Sequence, residues 1–161
     1  MENSQKVVVF ESGNEEYAIS IESVLSIEKN EVITPIPHLP SYMLGIVNVR
    51  GDLIPVLDYE EILYHKSSDG SPQAKLLVLK TDHLSLAIRV KDAREIIDIP
   101  ADRFKQMGLV AYSKTRYFTA IAQLEDRLIT MIDPTILAQS LDGMKEIQSY
   151  MTELKAEQSS L

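Results

Sequence analysis

The residues that could hold a metal or move a proton are few, and their spacing argues against both. His38, His65 and His83 lie far apart along the chain, and none stands beside an acidic pair at ligand spacing, so no metal centre is expected. Asp58 and Asp133 raise the question of paired carboxylates for acid–base chemistry. Each, however, stands directly before a helix-starting pattern: Asp58 with Glu61 three residues on, Asp133 with Pro134 behind it. Both read as helix caps. Serines occur in turns without a nucleophile-elbow pattern, and the six glycines are not clustered into a phosphate loop. With no cysteine, disulfides, thiolate metal sites and cysteine nucleophiles fall away together. Arg50-Gly51-Asp52 spells an integrin-binding tripeptide, which coincidence explains better in a cysteine-free chain whose N-terminus lacks a secretion pattern. The spacing of Pro35, Pro37 and Pro40 reads as a stiff connection rather than a polyproline ligand. Neither a catalytic constellation nor a cofactor is expected.

The elements around these residues are short apolar runs separated by turns, which predicts an all-β sandwich or barrel. A chain of 161 residues can bury a core without staples. Its formal charge of −8, from 16 basic against 24 acidic residues, argues against nucleic acid or an anionic membrane as the main partner. The longest apolar runs fall well short of the roughly 18 residues a spanning helix needs. The chain is expected to be cytoplasmic, with no direct membrane insertion.

An internal repeat organises these runs. "KLLVLKTDHLSLAIRVKDAREII" (75–97) lies over "KVVVFESGNEEYAISIESVLSIE" (6–28) at a shift of 69, and "AQLEDRLITMID" (122–133) lies over "VNVRGDLIPVLD" (47–58) at a shift of 75. The change of shift is a six-residue insertion around Met107 to Arg116. Two copies of one supersecondary unit are therefore expected at about 6–64 and 75–140, within a single domain of residues 1–140. The polar stretch "HKSSDGSPQA" (65–74) reads as the linker between them. Past Leu141, the spacing of Met144, Ile147, Tyr150, Met151 and Leu154 predicts an amphipathic C-terminal helix within 141–161, packed back on the domain and frayed from 156 onward.

"GIVNVRGDLIPVLD" (45–58) reads as a hairpin. With Gly51-Asp52 as the turn, Val47, Val49, Ile54 and Val56 share one unbroken apolar face, matched in the second copy by Ala122, Leu124, Ile129 and Met131. The opposite face is mixed and carries Asn48 and Arg50. Pro55, which cannot donate to a ladder, is expected on an edge or at a bulge. In the second copy Glu125 takes the place of Arg50, so the fold accepts either charge at that corner. The arginine asks for another explanation, and recognition of a partner supplies one.

The string N-x-R-G-x-x-x-P-V-x-D at 48–58, with "EEYAISIESVLSIEK" before it, resembles the CheW family of chemotaxis coupling proteins across roughly residues 5 to 140. The resemblance implies two intertwined five-stranded SH3-like β-barrels with short helices. It also implies a non-catalytic adaptor that couples chemoreceptor signalling tips to the regulatory domain of a CheA-type histidine kinase. By position, Arg50 and Asn48 match the array-assembly motif, and Val24, Gly45 and Ala93 match positions linked to receptor coupling. Val24 and Ala93 are equivalent at a shift of 69, so a groove lined from both halves is expected. Ile33 and Ile36 match the region implicated in kinase binding, to which Glu28 is added. Family members often place an acidic residue where this chain has Ser26, and Glu28 on the same strand face is the alternative partner for Arg50. A second departure is "AIRVKDA" (87–93), where the family pattern is "G-I-V-V-D-x-V". Two other readings remain open: an adaptor for a different two-component kinase system, and a small-molecule-sensing β-barrel.

Overall fold

The computed structural model describes residues 3–29, 33–66, 73–82, 84–106 and 116–159, with backbone alone for Arg94, Gln106, Gln158 and Ser159. The core of the 65–74 linker, His83 and the insertion at 107–115 lie outside the described residues.

The chain forms β1 (Ser4–Ser12), β2 (Glu15–Ser20), β3 (Val24–Lys29), β4 (Met43–Val49), β5 (Asp52–Asp58), α1 (Tyr59–Tyr64), β6 (Lys75–Lys80), β7 (Ser85–Val90), β8 (Asp92–Pro100), β9 (Phe104–Gln106), β10 (Phe118–Leu124), β11 (Arg127–Ile132), α2 (Pro134–Ser140) and α3 (Met144–Ser159). Shifts of 69 and 75 carry β1, β2 and β3 onto β6, β7 and β8, and β4, β5 and α1 onto β10, β11 and α2. The two helices start alike. Asp58 Oδ1 accepts from the N–H groups of Glu60 and Glu61 at 3.1 and 3.4 Å, and Asp133 Oδ1 from Ile136 N–H at 3.0 Å. Both aspartates act as helix caps.

One sheet has the order β3-β6-β7-β5-β4 and the other β8-β1-β2-β11-β10-β9. Each sheet mixes strands from both copies, because the opening hairpin of each copy joins the sheet of the other. The exchange creates the parallel pairs β5–β7 and β2–β11, which are equivalent under the repeat. The three-residue β9 makes the second sheet six-stranded rather than five-stranded.

Both sheets curl. In the second, β8 and β9 lie at opposite ends of the order, yet only the single 3-10 turn Ala101–Arg103 separates them in the chain. In the first, Arg50 at the end of β4 reaches Glu28 on β3, the strand at the far edge, at 3.0 Å. Each curled sheet encloses its own apolar cluster. Val47, Val49, Ile54 and Val56 pack with Leu76, Val78 and Ala87, while Ala122, Ile129 and Met131 pack with Val7, Val9, Ala18 and Ile99, and Leu124 lies half-buried against them. The inward faces expected from the sequence are the ones found.

A third and larger cluster lies between the sheets. Phe10, Tyr17 and Tyr59 meet there with ring centroids 5.3 to 5.8 Å apart, each pair worth about 0.5–1.5 kcal/mol beyond its buried area. The C-terminal helix α3 buries Met144, Ile147 and Met151 in this cluster, with Tyr150 and Leu154 against it, and packs on β5. It stays helical through Ser159, past the predicted onset of fraying. Pro55 lies on a strand inside the sheet order rather than at its edge. The ladder to β7 begins only at Val56, so at Pro55 the strand is paired on one side, with Ile46.

Candidate functional site: the β4–β5 tip and the seam between sheets

The hairpin register differs from the expected one. Val49 pairs with Asp52, Asn48 with Leu53 and Val47 with Ile54, so the loop is Arg50-Gly51 rather than Gly51-Asp52. Both loop residues have positive φ, 51° at Arg50 and 92° at Gly51, as a type I′ turn requires. Each β5 residue has slid two places along β4. A slide of two preserves the pleat, which is why the faces were read correctly from an incorrect turn. Asn48 Oδ1 accepts from Gly51 N–H at 2.9 Å and braces the loop from within. Asn48→Ala is expected to cost about 0.5–1.5 kcal/mol in denaturant unfolding, with Asn48→Asp retaining most of it.

Arg50 is held where asparagine, aspartate or glycine would be less strained. Its side chain is 73% exposed, and Nη1 lies 3.0 Å from Glu28 Oε2, whose side chain is only 17% exposed. Glu28 therefore does partner Arg50. Oε2 makes no well-aligned hydrogen bond among the described residues, so the contact is Coulombic. With its guanidinium so open to water, the pair contributes at most about 1 kcal/mol to folding. The equivalent tip, Glu125-Asp126, has the same left-handed start, with φ 46° at Glu125 and the opposite charge. Behind it, Arg127 donates to Glu16 at 2.6 and 3.1 Å and to Glu95 at 2.6 Å, joining β11, β2 and β8.

The remaining sequence-derived positions separate by environment. Val24 and Ala93 both pack half-buried against the central cluster, one from each sheet, at the seam between the two halves. Ile36 also packs on that cluster, whereas Ile33 packs on the core of the five-stranded sheet, so the two do not share a face. Gly45 is buried on β4 with φ 146°, directly under the chain at Thr34, which pairs with Ile46 through two 2.9 Å backbone hydrogen bonds. An added Cβ at Gly45 would lie 2.1 Å from the Thr34 carbonyl oxygen. The charges of "AIRVKDA" are paired within the chain: the largely buried Arg89 lies 3.9 Å from Asp58, and the exposed Lys91 lies 3.5 Å from Glu11.

Residue-type reasoning missed the exposed apolar side chains on the edge strands. Leu25 and Ile27 on β3 are 54% and 41% exposed, and Ile96 on β8 is 52% exposed. Ile27 and Ile96 coincide at a shift of 69, and that coincidence was the available signal. It went unread because strand alternation does not say which sheet face a partner leaves open. Among the described residues, no three His, Cys, Asp or Glu side chains are grouped to hold a metal. No helix among them is long and apolar enough to cross a membrane.

Two curled sheets with exchanged hairpins, a charged type I′ tip and apolar edges define a β-sheet scaffold that presents surfaces. Comparison places it. Residues 6–142 match the family model described as CheW-like domain, and the chain belongs to that family. It is 25% identical over 134 residues to the chemotaxis protein CheW of Bacillus subtilis, covering 83% of this chain and 86% of the relative. It is 29% identical over 129 residues to that of Helicobacter pylori, covering 74% and 73%. The crystal structure of the scaffolding protein TtCheW from Thermoanaerobacter tengcongensis superposes with a TM-score of 0.79 at 26% identity, covering 88% of this chain and 96% of that one. The chain is a chemotaxis adaptor of the scaffold type.

Proposed function

We propose that this adaptor acts in the cytoplasm, without catalysis of its own, by holding a CheA-type histidine kinase against the signalling tips of chemoreceptors. The observation that carries the reading is Arg50. Its backbone is strained, its charge adds little to folding, and the equivalent corner of the second copy accepts a glutamate; the arginine is there for contact. Glu28, poised from a nearly buried position, holds the exposed guanidinium between the two edges of the curled sheet. Val24 and Ala93 at the seam supply the apolar receptor-side surface, and Leu25 and Ile27 on the exposed edge strand supply the kinase side, with Ile33 and Ile36 reaching it from separate faces.

Two variants at one position separate folding from function. Arg50→Asn relieves the left-handed strain and is expected to match or exceed the parent stability by up to about 1 kcal/mol. Arg50→Glu reproduces the charge of the second tip. Both are expected to lower co-sedimentation with kinase and receptor signalling fragments, and activation of the kinase, at least tenfold. Full assembly and activation by Arg50→Glu would defeat this reading. Ser26 and the intramolecularly paired charges of "AIRVKDA" favour a second reading, service to a different two-component kinase. Parallel sedimentation against several kinase and receptor pairs distinguishes the two.

A further inference from the structure

At the α1–α2 end of the seam a cleft of about 600 Å³ opens between the two halves, within the size range of small-molecule sites. Its aromatic lining is dense: Tyr17 and Tyr117 are buried in its floor, and Tyr42, Tyr64 and Phe118 wall it. Tyr42 and Tyr117 are equivalents at a shift of 75, so the cleft straddles the repeat axis. None of Val24, Gly45, Arg50 or Ala93 lines it, and it lies beyond the adaptor surfaces proposed above.

Three of the four tyrosine hydroxyls are already engaged. Tyr42 donates to the Asp142 carbonyl at 2.6 Å. The Tyr17 and Tyr64 hydroxyls meet at 2.7 Å, and Tyr64 donates onward to the Ser12 carbonyl at 3.5 Å. What the cleft offers a ligand is therefore chiefly aromatic and aliphatic surface, with Ile62, Leu63 and Leu141 beside the rings and the Tyr117 hydroxyl in the floor. Among the described residues the formally charged lining is of one sign: Glu61 and Asp142 line the space with no lysine or arginine, and His65 is the other titratable side chain there. At its rim, Arg116 is tied to Ser140 Oγ at 3.5 Å. Electron-rich ring faces backed by carboxylates and short of competing cations are the recognition chemistry of ammonium groups carried on an apolar body.

We propose that this cleft is a binding site for a small organic cation of the quaternary-ammonium class. The adaptor then carries a ligand site of its own, between the two halves and apart from the protein contacts.

The test is a titration of the full chain with choline and with its uncharged isostere 3,3-dimethylbutan-1-ol, followed by tyrosine ring-proton shifts. Choline is expected to saturate the shifts below ~10 mM, an affinity reasonable for so few atoms, and the isostere to bind at least tenfold more weakly. Glu61→Gln combined with Asp142→Asn is expected to weaken choline at least fivefold, and Tyr64→Leu likewise, while Tyr64→Phe and Arg50→Glu leave it unchanged. Equal binding of choline and the isostere, no saturation by choline, or indifference to the Tyr64→Leu and Tyr64→Phe pair overturns the proposal. Arg50→Glu keeps this outcome separate from the adaptor reading, since it is expected to lower assembly at least tenfold and lies outside the cleft.

Discussion

Gly45→Ala is expected to lower the melting temperature by roughly 10 °C or more, a cost above about 3 kcal/mol for a chain of this length. Two independent penalties add. The backbone sits at φ 146°, which side chains rarely adopt, and the new Cβ would lie 2.1 Å from the Thr34 carbonyl oxygen. That oxygen is fixed by the paired backbone bonds between Thr34 and Ile46, so the clash can be relieved only by parting two segments of backbone. Gly51→Ala is the internal control. Gly51 also has positive φ, at 92°, but an added Cβ would meet nothing within 4 Å, so only strain of about 1 kcal/mol applies. A Gly45→Ala protein melting within 2 °C of the parent, by ~1 kcal/mol or less, would refute the argument. Gly45 coincides with a receptor-coupling position by resemblance, and we read the requirement for glycine there as a requirement of the fold.

Above pH 10 the protein is expected to unfold in one cooperative step, releasing its buried tyrosines together. Burial raises the phenol of Tyr117 to about 12, and burial reinforced by the Tyr64 hydrogen bond raises that of Tyr17 higher still. Tyr59, fully buried, is likewise raised by desolvation. The folded state thus keeps protons that the unfolded chain gives up near pH 10. The stabilising difference is fully present below that value and is lost as pH rises through 10 toward 12 and beyond. Each buried phenol contributes a slope of about 1.4 kcal/mol per pH unit, so three together remove about 4 kcal/mol per unit. That exceeds the stability reserve of an ordinary domain within a few pH units. Tyrosinate absorbance and circular dichroism should change together, and Tyr59→Phe should make the fall shallower. Gradual titration of every tyrosine around pH 10 with the fold intact would contradict this.

Much of the architecture was legible in the residues because it rests on periodicity. The alternation of Val47, Val49, Ile54 and Val56 fixed an inward face that survived an incorrect turn, since a slide of two residues leaves the pleat unchanged. The caps at Asp58 and Asp133 have partners within a few residues, and the buried stripe of α3 is a local spacing pattern even though the surface it packs on is distant in the chain. The turn itself was misplaced because Gly51 suits either central position, and the choice was made by the Asn48 side chain closing on Gly51 N–H.

The site was legible in part. The motif at 48–58 singled out Arg50, and the second copy's Glu125 showed that the fold did not need its charge. The sequence by itself determined the repeat, the two apolar faces and the residue at the tip. Only the tertiary structure decided that the halves exchange their opening hairpins, that Glu28 meets Arg50 across the two edges of a curled sheet, and that Thr34 crosses over Gly45. It alone gathered Tyr17, Tyr42, Tyr64, Tyr117 and Phe118 into one cleft. The physical reason is distance along the chain. Face and cap patterns repeat within a few residues and leave a trace in the sequence, whereas contacts between segments tens of residues apart are set by how the sheets close.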